Sequence, residues 1–256
     1  MSYVRLITKG FAMQVRTLSL SLWFLMLAIF QPLVFATIAF YMFKSGGRPG
    51  SLLYAALGAG MMGIWSSTLF GGGGAISWAR WEGTLELLVG TPPPFALVML
   101  PSTLATSAIG AYSLAATLGW GRLFFDIPLH FSHPWLFVLA LPATVLSLGM
   151  LGLLMASSFI LYRHANALMN LLEYPVWIAS GLVFSVSLLP EWSRPISWAL
   201  APYWGMKAIR DAALGGEVLV PIAMATVLGA LYFGLALVMV EVFERQARAK
   251  ATLSLT

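Results

Sequence analysis

Residues 22–43 read LWFLMLAIFQPLVFATIAFYMF, an uncharged run whose only strongly polar side chain is the amide of Gln31. As a helix rising about 1.5 Å per residue it would reach about 33 Å, enough to cross a hydrocarbon core of about 30 Å. Comparable runs recur at Leu52–Phe70, Phe95–Leu118, Trp135–Tyr162, Leu171–Leu189 and Val218–Phe243. Each far exceeds the roughly ten residues of a barrel strand and lacks polar alternation, so the runs predict helices. The chain is 60% hydrophobic and 9% charged, with a mean hydropathy of +0.88. A soluble domain would need far more charge to cover its surface. The expectation is an all-α integral membrane protein with six transmembrane helices.

Composition removes other classes. With no cysteine there is no disulfide framework, thiol nucleophile or thiolate metal site. The net charge of +5 comes from basic residues scattered over the loops, without the basic stripe and interleaved aromatics that nucleic acid demands. The first run is too long for a signal-peptide core, so it reads as an uncleaved span. An even number of spans puts both termini on one side. If that side is the cytoplasm, eight basic residues lie inside (Arg5, Lys9, Arg16, Arg80, Arg163, Arg245, Arg248, Lys250) and six outside. That small excess favours cytoplasmic termini.

Ahead of the first span, Val4, Ile7, Phe11, Val15 and Leu18 recur at steps of three and four, with Arg5, Lys9 and Arg16 off the stripe. Residues 1–20 are therefore expected to form an interfacial amphipathic helix lying along the membrane. Gly58, Gly60 and Gly63, and later Gly149 and Gly152, are candidates for close helix approach.

One loop carries unusual charge. Residues 77–100, SWARWEGTLELLVGTPPPFALVML, gather Arg80, Glu82 and Glu86 ahead of three prolines. A helix over residues 79–89 would put Trp81, Leu85 and Leu88 on one face and Glu82 and Glu86 on the next. The glycines 71–74 would break regularity before it and Gly90 would end it. Thr91 and Pro92 read as the cap and first-turn proline of the following helix. Spacing alone leaves a solvated loop helix open.

The stretch from Arg80 to Pro92 resembles the E-x-G-T-L-E-x-L-x-x-T-P signature of type 2 ATP-binding-cassette export permeases, matched here by Glu82, Gly83, Thr84, Leu85, Glu86, Leu88, Thr91 and Pro92. The resemblance implies that residues 75–94 are a cytoplasmic coupling loop docking into an ATPase subunit. Where members often carry further charges before the first Glu, this chain has Ser77, Trp78 and Ala79. Residues 180–214 resemble the family's external segment through Leu189, Pro190, Trp192, Pro202 and Arg210. There the resemblance implies short re-entrant helices over residues 190–217, capping the transport route, with Tyr203 and Trp204 in the same aromatic cluster. An ordinary aromatic belt is the alternative. The whole chain, 1–256, then reads as one transmembrane permease domain in the plasma membrane.

No G-x-x-x-x-G-K-[ST] occurs, so ATP and magnesium are expected on a partner ATPase and no cofactor on this chain. His130 and His133 have only Asp126 nearby, too little for a metal site, and His164 beside Arg163 reads as an interfacial pair. Two rival classes remain. An ion-coupled carrier would want acids deep in the spans, whereas Glu173 and Glu241 fall near predicted span ends. A membrane-embedded enzyme would want a paired-carboxylate, serine–histidine or H-E-x-x-H arrangement, and none is visible. Spans rich in Phe, Met and Trp suit a hydrophobic or amphipathic cargo such as a drug or lipid. Six spans are too few to enclose a large path, so two permease units, alike or different, are expected.

Overall fold

The computed structural model describes residues 3–46, 52–84, 87–88, 90–91, 93–159 and 165–250. Its described elements are helices joined by turns. Helix α1 is Tyr3–Leu20, α2 is Leu22–Ser45 and α3 is Leu52–Gly73. A short α4, Ala75–Trp81, precedes α5, Phe95–Phe125, and α6, Pro134–Phe159. Then follow α7, Ala165–Ala179, α8, Arg194–Trp198, α9, Ala201–Leu214, and α10, Leu219–Lys250.

Five of these are long and apolar enough to cross a membrane: α2, α3, α5, α6 and α10. They do not share burial equally. The most apolar stretch of α3 is 94% buried inside the chain, against 18% for α2 and 22% for α10. Helix α3 is thus the axis of the bundle, while α2 and α10 turn apolar side chains such as Met42 and Leu231 outward, where lipid would solvate them.

Close approach to that axis depends on small residues, as the sequence suggested. A Cβ at Gly60 would stand 2.7 Å from the Leu114 Cα, and one at Gly63 2.3 Å from the Ser113 Cβ. Hydroxyls then bond across the seam: Ser113 Oγ donates to the Gly60 carbonyl at 2.5 Å and Thr117 Oγ1 to that of Ala56 at 3.1 Å. Between helices in lipid, where burial adds little, backbone proximity and such bonds are the main source of cohesion. Gly149 of α6 likewise meets Leu104 of α5.

The chain gathers its loops at two ends. At one, Ile76 and Ala79 of α4 pack with Phe95 and Met99 of α5, Ala156 of α6 and Val240 of α10, with Ile7 and Phe11 of α1 against them. At the other, the backbone N–H groups of Ser132 and His133 donate to Ala213 and Ala212 at the end of α9, and Gly58 of α3 abuts Leu182.

Two expectations are refined and two need correction. The apolar stripe of α1 does exist, and Phe11, Val15 and Leu18 of it pack on α5 and α2, with Gly10 against Pro101. An amphipathic stripe marks something apolar beneath it, and here that is largely protein. The glycines after Phe70 do end α3, at Gly73, after it has widened into a π-helix over Ser67–Gly73.

The run Leu171–Leu189 is not one helix. Helix α7 stops at Ala179, because Gly181 turns into the left-handed region at φ 71° and the Leu182 N–H closes back on Trp177 O at 3.0 Å. Its fifteen residues reach about 22 Å, short of a full crossing by length; residues 160–164 before it lie outside those described. Lastly, α5 begins at Phe95, not at Thr91–Pro92. A residue followed by proline is pushed out of the α region, so Pro94 keeps Pro93 out of the helix and itself caps it at φ −52° and ψ 132°.

Candidate functional site

Two places concentrate the residues singled out by sequence. The first is the turn-rich connection after α3. Helix α4 is anchored from inside by Ile76 and Ala79, and presents Trp78 and Trp81 outward, edge to face with centroids 5.9 Å apart. Trp81 is 81% exposed and Leu87 73%; Glu82 and Thr91 are exposed too.

The expected helix over residues 79–89 is not continuous. Gly83 at φ 69° ends α4, with Gly83 N–H on Arg80 O at 3.1 Å and Thr84 N–H on Ala79 O at 2.9 Å. Thr84 Oγ1 also reaches Ala79 O, at 3.2 Å. Leu88 folds inward onto the Ile76 cluster, so Trp81 and Leu88 do not share a face. Thr91 Oγ1 donates back to Leu88 O at 2.7 Å, closing the preceding turn instead of capping the next helix. Leu85, Glu86 and Pro92 lie outside the described residues. Arg80, in the last turn of α4, is half-buried.

No side chain crowds the space around Gly83, so its importance is conformational. Gly83→Ala should lower stability by about 1 kcal/mol through left-handed strain. Gly83→Asn should cost less, since Asn tolerates that region. Thermal denaturation of the purified variants in detergent checks the order.

The second place is the far end, residues 180–214. Leu189 and Pro190 lead through short 3-10 turns at Val186–Leu188 and Glu191–Ser193 into α8 and α9. Trp192 is exposed, Pro202 is buried in the first turn of α9, and the Trp204 indole donates to Trp198 O at 2.8 Å, with Tyr203 stacked edgewise on Trp204.

Arg210 ties this segment to the bundle. It is 8% exposed. Its guanidinium lies 3.4 Å over the Tyr54 ring and donates to the carbonyls of Gly181 and Leu182, the latter at 2.9 Å. Those carbonyls belong to the turn ending α7, so a side chain from α9 serves as its cap. Burial pulls the guanidinium down to about 10, opposed by Tyr54 and then Asp211. Both folded and unfolded values stay well above 7, so the charge persists and this group adds no pH dependence near neutrality.

Sequence reading undervalued one residue. Glu173 stood near the start of the expected span. Because α7 begins at Ala165, it sits mid-helix instead and is 4% exposed. Its Oε1 accepts from Ser66 Oγ at 2.8 Å and from Gln31 Nε2 at 3.3 Å, joining α7 to α3 and α2. A lone acid in the apolar stretch NLLEYPVW was the available signal. Glu173→Ala should cost about 1–3 kcal/mol by stranding both donors, and Glu173→Gln clearly less, since its carbonyl still accepts. Thermal unfolding of the pair tests this.

Among the described residues no three His, Asp or Glu side chains converge on a metal position.

Five helices long and apolar enough to cross a membrane, among the described residues, make this a multi-pass membrane domain. The sequence profile of the ABC-2 type transporter family matches residues 2–214, and the chain belongs to that family as the membrane component of an ABC transporter. A comparison with curated proteins found no match.

Proposed function

We propose that this chain is the permease subunit of an exporter whose ATP and magnesium are bound by a separate ATPase subunit, and that residues 75–94 are where that ATPase docks. The observation carrying this reading is Trp81, a large aromatic left 81% exposed at the tip of a helix anchored in the core. Aromatic side chains held on a rigid support are the usual anchors of protein interfaces. Because α4 shares its core with α1, α5, α6 and α10, a push at Trp81 would be felt by several helices at once.

On this reading the α4 end and both termini are cytoplasmic, the α8–α9 end faces outward, and the membrane is the plasma membrane. A second permease, identical or not, completes the route, and the cargo is hydrophobic or amphipathic. The cysteine-free chain allows a direct topology test. A cysteine placed at Trp81 should resist an impermeant reagent from outside, and one placed at Leu188 should react. The reverse pattern would overturn the orientation.

Docking is tested with Glu82→Ala combined with Glu86→Ala. Glu82 is exposed, and surface substitutions usually change stability by within about 0.5 kcal/mol. A carboxylate buried at an interface often contributes about 2 kcal/mol or more, some thirtyfold in affinity. The double variant should therefore insert and melt like the parent while ATPase co-purification and transport per permease fall. Parental binding and transport would refute the docking assignment.

The buried Glu173 gives an ion-coupled carrier a point of support. Transport that persists without nucleotide but stops when the proton gradient is dissipated would favour that alternative.

A further inference from the structure

The α8–α9 end carries an open cavity of about 520 Å³, within the usual range for small-molecule sites. Its charge is one-sided. Arg194, Lys207 and Arg210 line it against the single carboxylate Asp211, and Glu191 adds one more negative charge at the rim through a 3.5 Å pair with Arg194. Three cations against two carboxylates leave an excess of positive charge even when every pair is counted.

Hydrogen-bonding groups on the wall point the same way. Arg194 and Lys207 reach it beside their carboxylate partners, Lys207 at 2.5 Å from Asp211. Ser185 and Ser187 add hydroxyls at the opening, 2.8 Å apart. Trp198, Met206 and Leu214 supply apolar wall beside these polar groups.

We propose that this cavity is a binding site for an oxyanion, the phosphate or carboxylate head of an anionic amphipath. Arg194 and Lys207 draw the headgroup in from the rim, the Ser185 and Ser187 hydroxyls offer further donors, and the apolar wall takes the first carbons of the tail. Guanidinium and hydroxyl donors suit a planar or tetrahedral oxyanion better than a neutral or cationic head. The site goes beyond the proposed transport role and does not depend on the ATPase. Binding is read on the chain alone, so its failure and the failure of the docking assignment are separate results.

The test uses the purified full-length chain in a non-ionic detergent, titrated calorimetrically with short-chain phosphatidylglycerol, short-chain phosphatidylcholine and inorganic phosphate. Phosphatidylglycerol should bind at least about tenfold tighter than phosphatidylcholine, and added salt should weaken it. Because Arg210 also caps α7, its removal would confuse binding with folding. The informative variant is therefore Arg194→Gln with Lys207→Gln, both partly exposed, which should bind phosphatidylglycerol about tenfold more weakly at an unchanged melting temperature. If inorganic phosphate competes, the headgroup alone suffices; if it does not while the lipid still binds, the apolar wall is required. Both outcomes support the site. It is overturned if phosphatidylglycerol and phosphate both fail to bind, if the two lipids bind equally, or if the double variant binds like the parent.

Discussion

Gly58→Ala is expected to destabilise the chain by upwards of about 3 kcal/mol, although alanine is the better helix former by about 1 kcal/mol. A Cβ at this position would stand 2.2 Å from the Leu182 carbonyl oxygen and 2.9 Å from Arg210 Nη2. Neither neighbour can yield cheaply. Leu182 is fixed by its N–H bond to Trp177 O, and its carbonyl is held by the guanidinium. Moving one breaks the other, so the overpacking cost is joined by a stranded buried acceptor. Gly234→Ala in α10 is the control, because nothing lies within 4 Å of its would-be Cβ. Melting in detergent should drop sharply for the first variant and hold or rise slightly for the second.

Arg210→Ala should be of similar size, about 4 kcal/mol. It removes a desolvated cation–π contact with Tyr54, worth about 2 kcal/mol. It also strands the carbonyls of Gly181 and Leu182, at about 1–3 kcal/mol for each buried group left unpaired. Arg210→Lys should fall between, since an ammonium keeps the charge but lacks the planar fork that serves two carbonyls and stacks on a ring at once. Thermal melting of the parent and both variants gives the order. Equal stability for parent and Arg210→Ala would mean that α9 and the end of α7 are held together by packing alone.

Much of this was open to reading before any coordinates. The long uncharged runs stand out because lipid forbids charge and unpaired backbone polarity, and α2, α3, α5, α6 and α10 fall on five of them. Gly60 and Gly63 were legible for the same reason, as small residues in an apolar helix have few uses besides close approach. Hydropathy alone cannot separate a span from a shorter helix followed by packed turns, which is why residues 182–189 passed for membrane. Nor does spacing reveal a left-handed glycine. Trp81 and Leu88 look cofacial only if the helix continues through Gly83, and its φ of 69° ends it. Tyr54, Gly181 and Arg210 are far apart in sequence, so the cap they build becomes visible only when α3, α7 and α9 meet.

The central claim, that the α4 end is the seat of a separate ATPase, is tested most directly by site-specific photo-crosslinking in intact membranes. A photoreactive side chain is placed at Trp81 and, as the opposite-end control, at Leu188, which is 76% exposed. Crosslinked products are then identified by mass spectrometry. The account predicts that Trp81 captures a chain carrying a G-x-x-x-x-G-K-[ST] motif and that Leu188 does not. Capture of that chain from Leu188, or none from either position, would contradict it.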